Sequence, residues 1–410
     1  MFSWIVALTL LVSASVVLGL PENLYSPLIS SKLAATSATY LGKYPQYTDH
    51  ASPAQWIWFN PDGWTSGFLP ATLYELHTRQ SLCPEQSDGI DWLSRARNWS
   101  AGLVPLETAN HVGHDVGFLS FPFVEELKLN PTNAGAIQAV NAFANDLARR
   151  FNPVVGCTRS WDSPDPDFEV IIDNMMNLDV LFVSSQLTGN TTLHDIAVSH
   201  ADKTRINHFR PDNSTYHVVH YNSVTGAVTS RVTAQGYANN STWTRGQSWA
   251  IYGYANIYHR TGFQRYLDTA RGAANLYLSR LPASQFLRWD FDAPAPAPAD
   301  TSSATIASNG LLLLSQLERS LGMKERLQNN SLCLPSRDLH DFADYGTQIL
   351  QGTANLAWSP TWQSLLSNGT VNKPAGNYLT GIVYGDYYWI KAGNELIRQG
   401  YVACPQLKKP

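Results

Sequence analysis

RGQSWAIYGYANIYH (Arg245–His259) followed by FQRYLDTARGAANLY (Phe263–Tyr277) decides the architecture. The first segment is aromatic or apolar on every side of a helical wheel, whereas Phe263, Tyr266, Ala270, Ala274 and Tyr277 mark a single stripe on the second. A helix that is apolar all round must be enclosed, and a one-sided helix covers it while facing water. The pairing recurs along the chain. Phe168 to Gln186 is apolar on more than one face and reads as a buried helix, and Leu193 to Arg205 follows as a half-exposed one after the turn signal Thr188-Gly189-Asn190. Upstream, Ile137, Val140, Ala144, Leu147 and Phe151 recur at helical spacing behind the cap candidates Thr132 and Asn133. A third pair begins near Ser302 and Leu339, and a last helix runs from about Tyr384 to Arg398. Enclosed helices alternating with one-sided partners are what concentric layers require, so the expected fold is all-α, a toroid of about six helical hairpins with the site at one open end. A helical-repeat solenoid also pairs helices, but the chain shows no fixed period.

Two stretches interrupt the helices. YHVVHYNSVTGAVTSRV, from Tyr216 toward Thr233, is β-branched and turn-rich and predicts a small inserted β-hairpin. APAPAPA (Ala293–Ala299) is a stiff, extended surface connector, because helical patterning resumes at once. No long linker divides the chain, and residues 20–410 are expected to form one catalytic domain.

With 44% hydrophobic residues the chain can bury a large core, and a net charge of −4 without any block of like charge gives no electrostatic case for nucleic acid or an anionic membrane as partner. The 13 Trp and 19 Tyr supply flat apolar faces with polar edges, suited to sugar rings as well as to core packing. Residues 1–19 read as a signal peptide, apolar and ending in small residues, which predicts a secreted, extracellular protein. Sequons at Asn98, Asn190, Asn213, Asn239, Asn240, Asn329 and Asn368 agree with export. Cys83, Cys157, Cys333 and Cys404 match no zinc spacing, and their spacing leaves the pairing open.

Four polar clusters stand where apolar packing is otherwise expected. His114-Asp115 in HDVGF is either a capping Asp with a packed His or part of a site. Asp173 in VIIDNMMNL is one carboxylate among Ile, Met and Leu; in a continuous helix, Glu169, Asp173 and Asn177 share a face. An interior Asp costs several kcal/mol unless it is paired, so it is either a structural tie or a site. Arg245 and Trp249, one helical turn apart in STWTRGQSW, either present a cation and a stacking plate to a substrate carboxylate and its ring, or tie an internal Asp beside a core Trp. YGDYYW (Tyr384–Trp389) reads mainly as barrel packing. No phosphate loop, nucleophile elbow or His-x-x-x-His metal pair is present. Two acids, a cation and several aromatics describe a pocket for an acidic sugar.

WTSGF (Trp64–Phe68), HDVGF, IIDNMMN, QGY with STWTRGQSWAIYGYA, DTSSATIASNG (Asp300–Gly310) and YGDYYW resemble, in order, the unsaturated glucuronyl hydrolases, glycoside hydrolase family 88. The resemblance covers roughly residues 55 to 400. It implies an (α/α)6 barrel, no metal or organic cofactor, and an unsaturated uronyl oligosaccharide as substrate. It also implies removal of a 4,5-unsaturated glucuronate from the non-reducing end by hydration of the C4=C5 bond, not by attack at the anomeric carbon. Carried over, Asp173 is the general acid and Asp115 the second essential carboxylate. His114, His217, Gln235 and Arg245 surround the uronate, and Trp64, Trp161 and Trp249 form walls or stacking faces. After QGY the chain reads Ala238-Asn239-Asn240, where many relatives are acidic, and glycans on these two asparagines would crowd substrate entry. The alternatives are an unsaturated rhamnogalacturonyl hydrolase of the same fold, or a secreted carbohydrate-binding protein that has lost catalysis.

Overall fold

The structure, a computed structural model, describes residues 20–38, 42–285, 287–329 and 341–404. Its helices in chain order are α1 (Pro27–Thr36), α2 (Phe68–Leu82), α3 (Trp92–Ala101), α4 (Val116–Leu129), α5 (Ala134–Arg149), α6 (Asn174–Asn177), α7 (Asp179–Thr188), α8 (Thr191–Asn207), α9 (Thr244–Thr261), α10 (Gln264–Ser279), α11 (Thr301–Asn329), α12 (Phe342–Ala357) and α13 (Val383–Arg398). The strands are β1 (Tyr44–Thr48), β2 (Trp56–Phe59), β3 (Phe151–Asn152), β4 (Cys157–Thr158), β5 (Asp167–Ile171), β6 (Val218–Asn222) and β7 (Val228–Val232).

Packing sorts the helices into two rings. The inner ring runs α2, α4, α6 with α7, α9, α11 and α13, and α13 packs on α2 to close it. Each inner helix is backed by a partner, α3 on α2, α5 on α4, α8 on α7, α10 on α9 and α12 on α11, while the N-terminal segment, through Tyr25, bonds to Gly393 of α13. This is an (α/α)6 barrel. The reason lies in the surfaces: α9 buries Trp249, Ile251, Tyr254 and Ile257 on different sides, while α10 buries one side, the Tyr266, Ala270, Ala274 and Tyr277 stripe with Leu267 and Ala273 beside it. Asn133 caps α5 by accepting from the Ala136 N–H, and Gly189, in the left-handed conformation, ends α7 just before Asn190 caps α8. Among the described residues no helix is long and apolar enough to cross a membrane.

The segment from Phe168 to Gln186 is not one helix. Its first residues form β5, where buried Phe168 and Val170 alternate with half-buried Asp167 and Glu169, the two-residue period of a strand. β5 pairs antiparallel with β6, so the predicted hairpin, present as β6–β7, is part of a three-stranded sheet. Glu169 therefore shares no helical face with Asp173 and Asn177. Helix α5 likewise stops at Arg149, and Phe151 belongs to β3, paired with Thr158. Leu339, near which the third pair's second helix was expected, lies outside the described residues, and α12 starts at Phe342. In the first 130 residues, where the sequence reading assigned no helix, α2 and α4 are inner-ring members.

A disulfide joins Cys83, just after α2, to Cys404 near the chain end; Cys157 is buried and free, and Cys333 lies outside the described residues.

Candidate active site

Because every inner helix is followed by an outer one that returns the chain, the inner helices run parallel and their N-termini gather at one end. The residues at those starts touch one another. Trp64 before α2 meets Tyr384 of α13 at 5.0 Å between ring centroids, Arg245 of α9 bonds Asp300 before α11 at 2.6 Å, and the Phe118 N–H of α4 donates to Asn177 Oδ1 of α6 at 3.0 Å. Converging N-termini carry partial positive charge, which favours an anionic ligand at this end. An open cleft of about 350 Å³ lies here, lined in part by Asp62, Trp64, His111, Asp115, Trp161 and Asp162.

Asp115 ends the turn before α4 and Asp173 the turn before α6, with side chains only 15% and 16% exposed. Burial pushes Asp173 up from the usual carboxylate range to about 6, with Arg245 opposing. Burial, and then the charge of Asp173 itself, pushes Asp115 up as well. Burial raises both carboxyls and the Asp173 charge adds to the rise of Asp115, so the pair holds a proton toward neutral pH, the condition for acid catalysis.

His217, at the start of β6, is wholly buried and faces Asp173 with Nε2 at 3.7 Å from Oδ2. Its Nδ1 accepts from the Gln235 N–H at 3.3 Å, and burial followed by the Arg245 charge holds it down at about 3. The ring is therefore neutral, and with Nδ1 accepting, its proton sits on Nε2 toward Asp173. His114 is buried, held well below the usual imidazole range by that burial and then by the Arg150 charge, and 3.4 Å from Asp115. Among buried side-chain atoms, Asp173 Oδ2, His217 Nε2, His114 Nδ1 and Trp249 Nε1 have no hydrogen-bond partner. The Trp249 N–H tempers the rise of Asp173 without reaching full hydrogen-bond geometry.

Two sequence expectations change. Arg245 does not present an open fork: Nη1 donates to Asp300 and the Thr370 carbonyl, and Nη2 to Gln235 Oε1 and the Val371 carbonyl. A buried guanidinium needs a counter-charge within the protein, and Asp300 supplies it. Trp249 is 0% exposed and packs against Phe118 and Tyr388, so it is a floor beneath Asp173 and no stacking face. Trp64 is half-buried on the cleft, and Trp161, 37% exposed, stands edge-on to His217 at 6.0 Å. Asp386 is structural, accepting the Leu365 and Leu366 N–H groups.

The sequence reading did not assign Asp300, Trp243, whose ring lies 4.4 Å from that of His217, or Asn177 to the site. Asp300 carried a usable signal, an acid just ahead of a Ser-rich helix start, which the structure turns into bonds with the Ser302 N–H and hydroxyl. One group of side chains suited to a metal comes together among the described residues, Asp167, Glu169 and His220. It lies on the sheet, where His220 already pairs with Asp167 at 3.0 Å.

A closed (α/α)6 toroid with a proton-holding carboxyl pair at its open end has the architecture of a glycosidase. No protein-family model matches the chain. It is 35% identical over 341 residues, 80% of this chain and 78% of the other, to an unsaturated glucuronyl hydrolase of Formosa agariphila. It is 30% identical to an unsaturated chondroitin disaccharide hydrolase of Streptococcus pneumoniae, over 68% of this chain and 69% of the other. The crystal structure of an unsaturated glucuronyl hydrolase specific for heparin superposes with a TM-score of 0.79 at 26% identity, covering 93% of this chain and 98% of that one. The chain belongs to the unsaturated glucuronyl hydrolases, glycoside hydrolase family 88.

Proposed function

We propose that this enzyme removes a 4,5-unsaturated glucuronate from the non-reducing end of lyase-generated oligosaccharides by hydrating the C4=C5 bond. The observation that carries the reading is Asp173: a mostly buried carboxyl that holds its proton to about 6, with one oxygen lacking a partner and facing a neutral imidazole. Such a group is an acid kept for a reacting atom. Asp173 delivers its proton to C4 of the enol ether, and positive charge develops at C5. Water then adds at C5 while the Asp173 carboxylate takes one of its protons. The resulting hemiketal opens and expels the remaining sugar, so no bond to the anomeric carbon is attacked. Asp115 orients the water and ring by hydrogen bonding, with His114 beside it. His217 turns its Nε2–H toward Asp173, and Gln235 fixes that tautomer.

The substrate carboxylate is drawn by the convergent helix N-termini and by the Arg245 charge, which acts through the field because its fork is engaged. Trp64 and Trp161 supply the apolar walls, and catalysis calls for no metal or cofactor. The test is turnover of an unsaturated uronyl disaccharide, followed by loss of the conjugated ultraviolet absorbance, with solvent deuterium entering C4. Cleavage of the saturated uronide at a similar rate, or product without deuterium at C4, excludes hydration.

The protein also acts outside the cell in this reading. The Cys83–Cys404 disulfide fits an oxidising compartment, and the sequon residues Asn98, Asn190 and Asn213, away from the QGY stretch where glycans would crowd substrate entry, are exposed. The leader expected at residues 1–19 lies outside the described residues. A mature chain beginning near Leu20 that loses mass on deglycosylation is the expected result; an intact Met1 with no mass loss overturns it.

A further inference from the structure

The HDVGF and IIDNMMN motifs meet at one contact. Helix α6, only four residues long, lies between α4 and α9, and Asn177 at its end is wholly buried against Gly117. A Cβ on Gly117 would fall 2.5 Å from both Asn177 Cα and Oδ1, so α4 and α6 approach as closely as they do only because that side chain is missing. On the other flank a Cβ on Gly253 of α9 would fall 2.7 Å from the Met175 Cβ. Asn177 uses the close approach on three sides. Its Oδ1 accepts the Phe118 N–H at 3.0 Å, and its Nδ2 lies 3.4 Å from both Asp115 Oδ1 and the Asp173 carbonyl.

We propose that Asn177, seated against Gly117, is a positioning residue that fixes the Asp115 carboxylate relative to Asp173. The inference rests on the reading that these two acids carry the reaction. Neither acid is held by a rigid element of its own, since each ends a turn that a helix follows; one amide spans both turns and the Phe118 N–H in the first turn of α4. The charged and titratable groups facing Asp115 are Asp173, Arg150 and His114, and those facing Asp173 are Asp115, Arg245, His217 and Tyr384. The Asn177 amide favours the ionised form of Asp115, so its loss strengthens the pair's hold on the shared proton while letting Asp115 drift.

The test is steady-state kinetics against pH on an unsaturated uronyl disaccharide, with Asn177→Ala, Gly117→Ala and Asp173→Asn run together. Asn177→Ala should lower kcat about 10- to 100-fold with KM within about threefold, and should move the alkaline limb of kcat to higher pH. Gly117→Ala, which pushes the same contact apart from the opposite side, should lower kcat by a similar factor. Wild-type kcat in Asn177→Ala, or a lower kcat with an unmoved alkaline limb, overturns the proposal. If Asn177→Ala does not fold, Asn177→Ser is judged by the same criteria, because it is too short to reach Asp115 and Phe118 together. Retained turnover in Asp173→Asn is a separate result, which overturns the acid assignment itself.

Discussion

The two ends of the inner ring use the same residue types to opposite ends. Where the helices start, Asp173, His217 and His114 are buried with polar atoms left unpartnered. Further along the axis, around a cavity of about 360 Å³, the charges are paired: Lys391 with Glu75 at 2.7 Å, Arg260 with both oxygens of Asp179, and Asn394 with Glu75. Burial alone raises a carboxyl at either end. At the second end the Lys391 charge overcomes it and holds Glu75 down at about 2, whereas at the first end Asp173 stays up at about 6 because Arg245 is shared with Asp300. A buried acid is a structural tie where a cation or backbone N–H groups answer it directly, as Lys391 answers Glu75 and the Leu365 and Leu366 N–H groups answer Asp386, and a reagent where an oxygen is left without a partner.

Exchanging the acid at each end tests that contrast most directly. Asp173→Asn should lose roughly a thousandfold or more in kcat while KM changes little, as read by absorbance of the unsaturated sugar. Glu75→Gln should leave the kcat and KM of the folded fraction unchanged but cost about 3–5 kcal/mol in denaturant unfolding, because it strands Lys391 in the interior. Equal effects of the two substitutions on rate would dissolve the distinction.

The pH dependence of stability separates the ends by sign. Asp173 is raised on folding, so the native state binds the extra proton between about 3.8 and 6; its contribution is present below that window and is lost as pH rises through it. Asp173→Asn should therefore gain about 1–3 kcal/mol of stability at pH 7, measured by denaturant titration. Glu75 is depressed on folding, so its contribution is present above about 4.5 and is lost as pH falls toward 2. An Asp173→Asn variant less stable than the parent at pH 7 would show that the group is a tie after all.

The smallest expected effect is at the floor. Trp249→Phe keeps most of the packing but removes the N–H that tempers Asp173, so the alkaline limb of kcat should move slightly to higher pH, with a several-fold change in rate at most. A fall in binding comparable to loss of a stacking face would return Trp249 to the substrate surface.

The layered architecture was legible in the chain because helical periodicity is local: the all-round apolar Arg245–His259 and the single stripe from Phe263 to Tyr277 each report the surface they need to bury. The acids and aromatics of HDVGF and IIDNMMN were legible for a related reason, being chemically out of place in apolar surroundings. The tertiary structure decided the rest. Phe168 to Ile171 is a strand because β6, some fifty residues later in sequence, supplies its hydrogen bonds, and Cys83 finds Cys404 only when α13 closes on α2. Arg245 grips Asp300 and two loop carbonyls, not an open site, and Trp249 lies beneath the site because Phe118 of α4 and Tyr388 of α13 pack against it. Whether a buried charge is answered depends on which distant residue folds against it, and local pattern in a sequence carries no record of that distance.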